Sequence, residues 1–455
     1  MSRSPRGALV LPVVALLVIV IGALESMTIP VLSLIGTDLA LTPAQTALIP
    51  ATLVITGAIA TPLTGCLADR LGGRRVLVTV SVVVAIGAAV SAAAPSFPLL
   101  LAGQALQGIG AGVLPLGFVL LQENLANAKR TVAVGVVTGV FVIGGTLGVV
   151  LAGPIAESLS WRWMYALPAI VIAAGAIACH WAMPASAPAG GPKIDWAGGA
   201  LLAVFLFALM TGLTELPALG WTSPVVLASL GGFAVLAVLW VLVERRSASP
   251  LVDLGMLGKP GIAGGILVAM ALGAGYAMAY LIIPQIVVSP VVTGYGLGGT
   301  PSDVGLYLLP GAALAAVAGP VAGGVNRRFG SRATLVGGLA ITVAGCLCGA
   351  WLHHTAEQLI LLFVLLGIGV TTASTALING TVDAVPPEKT GAASGLNIVA
   401  RAIGVAIGFE IAGAILTGTP AFETAFLTAA ALAAAGVLVA RALPKGRAVA
   451  VPAVA

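Results

Sequence analysis

Charged side chains are scarce in this sequence of 455 residues. Asp, Glu, Lys and Arg make up 8% of it, against about a quarter of an ordinary soluble domain. Hydrophobic residues reach 59%, and the mean hydropathy is +1.14. Apolar runs of roughly 18 or more residues recur along the whole chain, and each can cross a bilayer core of ~30 Å as a helix. The composition therefore excludes an ordinary soluble domain and predicts an integral membrane protein.

Chemically reactive side chains are also few. The sequence has no nucleophile paired with a base and no phosphate-binding loop, so neither an enzyme nor a cofactor is expected. His353 and His354 lie near Glu357 but lack a third ligand, so no metal site is expected. The cysteines lie in or beside apolar runs, which is typical of small buried side chains. They are Cys66, Cys179, Cys346 and Cys348.

Long basic runs are missing as well. The formal net charge is +5, but Lys and Arg occur singly or in short clusters at the ends of apolar runs. This distribution is typical of membrane topology, and it argues against a nucleic-acid partner.

Hydropathy predicts about fourteen transmembrane helices. With both termini on one side, eighteen of the twenty basic residues fall on that side, where the positive-inside rule places the cytoplasm. Arg162 falls on the other side, and Arg401 lies within a helix. We therefore expect a multi-pass protein of the cell membrane, inner or plasma, with both termini cytoplasmic.

Two polar stretches divide the chain. The first, PASAPAGGPKID, runs from Pro184 to Asp195 and is rich in Pro, Ala and Gly. The predicted fold class is an all-α integral membrane protein with two six-helix bundles and an inserted helix pair. The predicted segments are an N-terminal bundle (1–184), a cytoplasmic linker (185–196), the inserted transmembrane pair (197–243), a second cytoplasmic linker (244–260), a C-terminal bundle (261–441) and a cytoplasmic tail (442–455).

A short internal repeat links the two bundles. GCLADRLGGR, starting at Gly65, aligns with GGVNRRFGSR, starting at Gly323, and both follow the second helix of a six-helix block. This placement indicates duplicated halves related by an axis along the membrane normal. The matched pairs are Gly65 with Gly323, Arg70 with Arg328, Gly72 with Gly330, and Arg74 with Arg332.

The first copy of this repeat resembles the signature loop of the major facilitator superfamily, and within it of the fourteen-span drug:proton antiporters. Further similar stretches are WRWMYALP from Trp161, DWAGG from Asp195 and GAASGLNIVARAIG from Gly391, so the resemblance covers essentially the whole chain. It implies a secondary active exporter of drugs or secondary metabolites that works by alternating access, and it says almost nothing of the cargo.

The loop itself is predicted to be a conformational latch. Asp69 can accept hydrogen bonds from a helix N-terminus, and Arg70 and Arg74 can reach acids or helix C-termini. Gly65 and Gly72 permit a tight turn. The alternative is a positive-inside anchor, which explains the arginines but not Asp69 or the glycines.

The fourth and fifth predicted spans carry further candidate residues. Gln104 stands where the family has an arginine associated with proton coupling, and an amide cannot hold a fixed charge. Downstream, Gly144 and Gly148 are four residues apart and predict close helix packing, to which we assign Gly153 and Pro154 as well.

Ionisable side chains inside the apolar runs are candidates for function. Glu25 and Glu410 are costly to bury as charges, which predicts residues that are neutral, paired or facing water. Each could carry a proton, and the alternative is a structural carboxyl. Arg401 lies on the opposite helix face from Glu410, so it needs another partner such as Asn397, or it reaches the membrane surface.

Aromatic and amide side chains complete the candidate set. Tyr276 and Tyr280 share a helix face, and Asn379 lies in an unusually polar helix. We expect these three, with Gln104, to contact cargo or take part in proton coupling.

Three hypotheses follow. The first is a proton-driven exporter of small amphipathic molecules, with the substrate, protons and the lipid bilayer as partners and a monomer as the expected state. The second is a facilitator without proton coupling, which Gln104 favours. The third is a non-transporting receptor on the same fold, which the short loops disfavour.

Overall fold

The chain is helical throughout its described part. The computed structural model describes residues 10–124, 127–183, 195–247, 255, 260–383, 390–417 and 421–443, where it has sixteen α-helices and no β-strand. The helices are α1 (Val10–Met27), α2 (Leu32–Asp38), α3 (Pro43–Leu71), α4 (Gly73–Ala92), α5 (Phe97–Gly108), α6 (Val113–Asn124), α7 (Asn127–Ser158), α8 (Trp163–Ala182), α9 (Trp196–Leu219), α10 (Pro224–Arg246), α11 (Pro260–Val288), α12 (Pro301–Phe329), α13 (Ser331–Trp351), α14 (Ala356–Asp383), α15 (Thr390–Leu416) and α16 (Phe422–Ala442).

The helices match the predicted membrane spans. Among the described residues, thirteen helical segments are long and apolar enough to cross a membrane, and α7 contributes a shorter apolar segment, Ile143–Ser158. Two spans are interrupted. A 3₁₀ turn, Ile29–Val31, separates α1 from α2, and another, Ile109–Gly112, separates α5 from α6. The proline and glycines at these points explain the breaks. The prediction of an all-α integral membrane protein is confirmed.

The helices group into two compact units. Unit 1 comprises Met1–Leu251 with Thr300–Gly305, and unit 2 comprises Val252–Gly299 with Leu306–Ala455. The predicted inserted pair, α9 and α10, belongs to unit 1, where α9 packs against both α10 and α3. Most of both predicted linkers and of the tail lies outside the described residues, and the predicted segment boundaries stay a prediction.

Glycine sets the closest helix contact of unit 1. A methyl group added at Gly144 of α7 would lie 2.2 Å from the carbonyl oxygen of Ile19 in α1, and one added at Gly148 would lie 2.2 Å from that of Ala23. No side chain fits in so short a distance. The backbones of α1 and α7 therefore touch directly, as small residues four apart allow in membrane helices.

Unit 2 repeats this contact between α11 and α15. A methyl group at Gly404 would lie 2.2 Å from the carbonyl oxygen of Met270, and one at Gly408 would lie 2.3 Å from that of Ala274. Helix α11 thus takes the place of α1, and α15 that of α7. The structure gives a second indication of duplicated halves, independent of the loop sequences.

A further pair of glycine contacts follows the same plan. Gly87 of α4 and Gly103 of α5 face each other so closely that a methyl group on either would lie 2.8 Å from the carbonyl oxygen of the other. In unit 2, Gly338 of α13 and Gly369 of α14 do the same, at 2.8 and 2.9 Å. The two units therefore share their internal packing.

Candidate functional site

Glu25 is the acidic residue of the first span. It lies on α1 next to buried Leu24 and one turn before the break at Thr28, and its side chain is half-buried. Its Oε1 atom is buried and has no hydrogen-bond partner among the described residues. A buried carboxyl oxygen in this state is satisfied by a proton, a cation or a water molecule.

Tyr276 takes the corresponding place in unit 2. Counting two residues on from the matched contacts at Ala23 and Ala274 leads to Glu25 in α1 and to Tyr276 in α11. The duplicated helices therefore carry a polar side chain at the same position relative to their glycine contacts. The sequence pattern did not indicate this equivalence, because it becomes visible only when the backbone contacts of the glycines are aligned.

Aromatic rings form a stack in unit 2. The Tyr276 and Tyr280 rings are stacked with centroids 5.2 Å apart, and Tyr280 stacks in turn on Phe363 of α14 at 5.4 Å. Arg401 of α15 lies close enough to Tyr276 for electrostatic interaction. The structure thus brings together three of the predicted residues and adds Phe363. Flat aromatic faces with a cation beside them can hold an apolar ring system.

Two further polar candidates of unit 2 lie on α15 and α14. Glu410 is fully buried in α15, and Asn379 of α14 is half-buried. Asn397 donates a hydrogen bond from its side-chain nitrogen to the Thr381 hydroxyl, so it joins α15 to α14. The hydrogen bond of Asn397 between two helices indicates a structural role for this residue.

Gln104 belongs to a buried polar network in unit 1. Its side-chain nitrogen lies 3.5 Å from the Ser91 hydroxyl, and the side-chain nitrogen of Gln107 donates to the same hydroxyl at 2.7 Å. The Tyr165 hydroxyl contacts Gln104 and lies 3.0 Å from the Thr28 hydroxyl. These side chains join α4, α5 and α8 to the break after α1. Sequence reasoning missed Tyr165, Ser91 and Gln107, because their spacing does not indicate that they meet.

The predicted latch loop caps a helix. Arg74 donates from Nη1 to the carbonyl oxygen of Met183, just beyond the end of α8, at 2.8 Å. Gly72 has a φ of 89°, which favours glycine, while Arg70 is exposed. A cation at a helix C-terminus satisfies a free carbonyl and interacts favourably with the helix dipole. The side chain of Asp69 lies outside the described part of the structure, so the latch stays a prediction.

The second copy of the loop makes the same contact. Gly330 has a φ of 84°, and Arg332 donates from Nη2 to the carbonyl oxygen of Arg441 near the end of α16. Both hydrogen bonds join residues 109 positions apart in the chain. The loop, the glycine conformation and the capped helix are all duplicated.

The duplicated helical halves agree with the comparison to known families. The profile of the Major Facilitator Superfamily matches residues 14–298 and again 265–453. The chain belongs to this superfamily. The resemblance stated from the loop sequence is confirmed.

The relatives carry names of multidrug resistance, export and efflux proteins. Multidrug resistance protein Stp of Mycobacterium tuberculosis is 31% identical over 356 residues, covering 77% of this chain and 65% of Stp. Cephamycin export protein CmcT of Amycolatopsis lactamdurans is 30% identical over 374 residues, covering 78% and 75%. Multidrug efflux pump LfrA of Mycolicibacterium smegmatis is 27% identical over 357 residues, covering 78% and 69%. The match to Stp spans slightly less than two thirds of that relative.

A solved structure supports the fold. The nucleoside transporter NupG superposes with a TM-score of 0.70, over 96% of this chain and 100% of that chain. Its sequence identity is 13%, so the similarity concerns the superfamily fold alone.

Proposed function

We propose that this superfamily member is a secondary active exporter of small amphipathic molecules, works by alternating access and exchanges its cargo for protons. The observation that carries the proposal is the buried Oε1 atom of Glu25, which lacks a hydrogen-bond partner in the described residues. Relatives named as an export protein and an efflux pump support the direction of transport. We place the protein in the cell membrane with both termini cytoplasmic, and a monomer suffices for the mechanism.

Proton exchange is assigned to Glu25. A carboxyl in an apolar helix favours its neutral form when closed off from water and can release the proton when water reaches it. Gln104 cannot assist as a charge, because it is a neutral amide inside a buried network. The proposed coupling therefore does not use the arginine that the family resemblance associates with the fourth span.

The cargo is proposed to be a cation or a protonatable amphiphile. In unit 1, Glu25 offers a carboxylate, and in unit 2 the stack of Tyr276, Tyr280 and Phe363 offers aromatic faces. A basic group is complementary to a carboxylate, and an apolar ring system is complementary to aromatic faces, so each unit by itself favours one feature of such a molecule.

A facilitator without proton coupling is the second candidate, and the neutral Gln104 favours it. The two candidates differ in whether a pH gradient drives transport.

The test is efflux of a lipophilic cationic dye from proteoliposomes, with and without an imposed pH gradient. The parent protein is compared with Glu25→Gln and with Glu357→Gln, an exposed acid in the first turn of α14. We expect gradient-driven transport in the parent and the control and its loss in Glu25→Gln. Dye efflux at the same rate with and without the gradient, and in both the parent and Glu25→Gln, would establish the facilitator instead.

A further inference from the structure

A long apolar groove lies within unit 2. It is bordered by α12, α13 and α14 and has a volume of about 550 Å³. Its lining runs along α12 from Leu314 to Phe329, which corresponds to about 22 Å at the rise of an α-helix. The groove thus reaches from the basic turn between α12 and α13 past the middle of a bilayer core of ~30 Å.

The wall and floor of the groove differ in side-chain size. Val317, Val321 and Phe329 of α12 form the wall, and they are 60%, 58% and 62% exposed. Gly337 and Thr334 of α13 lie on the floor, and a methyl group added at Gly337 would meet nothing within 4 Å. The small residues give the groove its depth, and large apolar ones give it a surface for a hydrocarbon chain.

The corresponding helix of unit 1 is covered. By the loop repeat, α3 occupies the place of α12, and α9 packs against α3. In the apolar part of α3, 67% of the residues are buried, against 28% in α12. Unit 2 has no described helix that covers α12 in the way that α9 covers α3, so the groove stays open.

The mouth of the groove is basic. Arg328 lies in the last turn of α12, and Arg332 lies in the first turn of α13. The Arg328 guanidinium lies over the Phe329 ring, 5.4 Å from its centroid, and Phe329 lines the groove. A cation held beside the end of an apolar channel is complementary to an anionic headgroup whose chain lies in that channel.

We propose that this groove is a binding site for one anionic phospholipid from the leaflet at the basic end of the helices. One acyl chain lies along α12 against Gly337, and the headgroup phosphate binds Arg328. This assignment does not depend on the cargo or on proton coupling.

Native mass spectrometry of the purified full chain tests the site directly. The protein is titrated with phosphatidylglycerol and with phosphatidylcholine of the same acyl chains. Gly337→Phe fills the groove, and Gly232→Phe on α10 is the matched control, because a methyl group there also meets nothing within 4 Å. Arg328→Gln removes the headgroup contact, and Arg245→Gln at the exposed end of α10 is its control.

We expect one tightly bound phosphatidylglycerol in the parent and in both controls. Binding should be lost in Gly337→Phe and about tenfold weaker in Arg328→Gln, as for the loss of a charge-assisted hydrogen bond. Equal binding of the two lipids, or full binding by Gly337→Phe, would overturn the proposal. So would a parent dimer that Gly337→Phe dissociates, which would assign the groove to a second copy, or one-to-one displacement of the lipid by a transported dye, which would assign it to cargo.

Discussion

Gly148 of α7 and Ala23 of α1 meet through their backbones, so that a methyl group on Gly148 would lie 2.2 Å from the Ala23 carbonyl oxygen. Two helices far apart in sequence are thereby held with no side chain between them. The same contact recurs at Gly408 and Ala274 in unit 2. It therefore belongs to the common plan of both units.

Gly148→Ala should lower the stability of the purified protein. The added methyl group forces α7 away from α1, and overpacking of this kind costs about 1–3 kcal/mol. Gly231→Ala on α10 is the control, because a methyl group there meets nothing within 4 Å. Thermal unfolding in detergent measures both, and equal midpoints would show that α7 shifts without cost.

The hydrogen bond between Thr28 and Tyr165 should be measurable by a double-mutant cycle. Tyr165→Phe leaves the buried Thr28 hydroxyl without this partner, which costs about 1–3 kcal/mol. Thr28→Val in the same chain removes that unsatisfied hydroxyl, so the double variant should regain part of the stability. Additive losses in thermal unfolding would mean that the two hydroxyls are not coupled.

Stability should decrease in mild acid because of His353, which lies between α13 and α14. Its side chain is buried, and Nδ1 donates to the Gly349 carbonyl at 2.9 Å. Burial lowers the pKa of His353 below its ordinary value of 6.5. The unfolded chain therefore binds the proton first, and stability is lost as the pH falls from about 6.5 through the lower folded pKa. The neighbours His354 and Glu423 modify this shift in opposite directions.

His353→Gln tests this dependence, because glutamine can keep a hydrogen bond to the carbonyl and does not titrate in this range. The thermal midpoint of the parent should decrease more than that of the variant between about pH 7.5 and about pH 5.5. Parallel decreases would assign the acid sensitivity to other groups.

Asp69→Asn should slow transport without affecting membrane insertion, if the loop is a latch. The prediction rests on the sequence pattern around Gly72 and on the Arg74 cap. Dye efflux per inserted protein should decrease severalfold, whereas Arg245→Gln, at another basic helix end, should transport normally. Normal efflux by Asp69→Asn would contradict the latch and would leave the loop with the role of a positive-inside anchor alone.

The sequence was sufficient to predict the membrane spans and to single out the acids Glu25 and Glu410 inside them. Apolar runs predict membrane helices, since no other local signal is needed for them. Glu25 was found because any acid in such a run is costly. The close packing at Gly144 and Gly148 was also predicted, because small residues four apart in a membrane helix typically allow another helix to approach closely.

Contacts between distant helices could not be predicted. Hydrophobic periodicity is weak when a helix is apolar all round, so nothing in the sequence indicated which face of α8 carries Tyr165 inward. The meeting of Gln104, Ser91 and Tyr165 depends on how three helices pack. The equivalence of Glu25 and Tyr276 was hidden for the same reason, since it appears only once the glycine contacts are aligned.

The arginine caps impose an order on biosynthesis. The carbonyl groups that accept from Arg74 and Arg332 are each synthesised 109 residues after the arginine. They lie at the ends of α8 and α16. Neither hydrogen bond can form until that helix is made, and each joins groups from one half of the chain. Each half of the chain therefore completes its own cap, so the first half can mature while the second is still being translated.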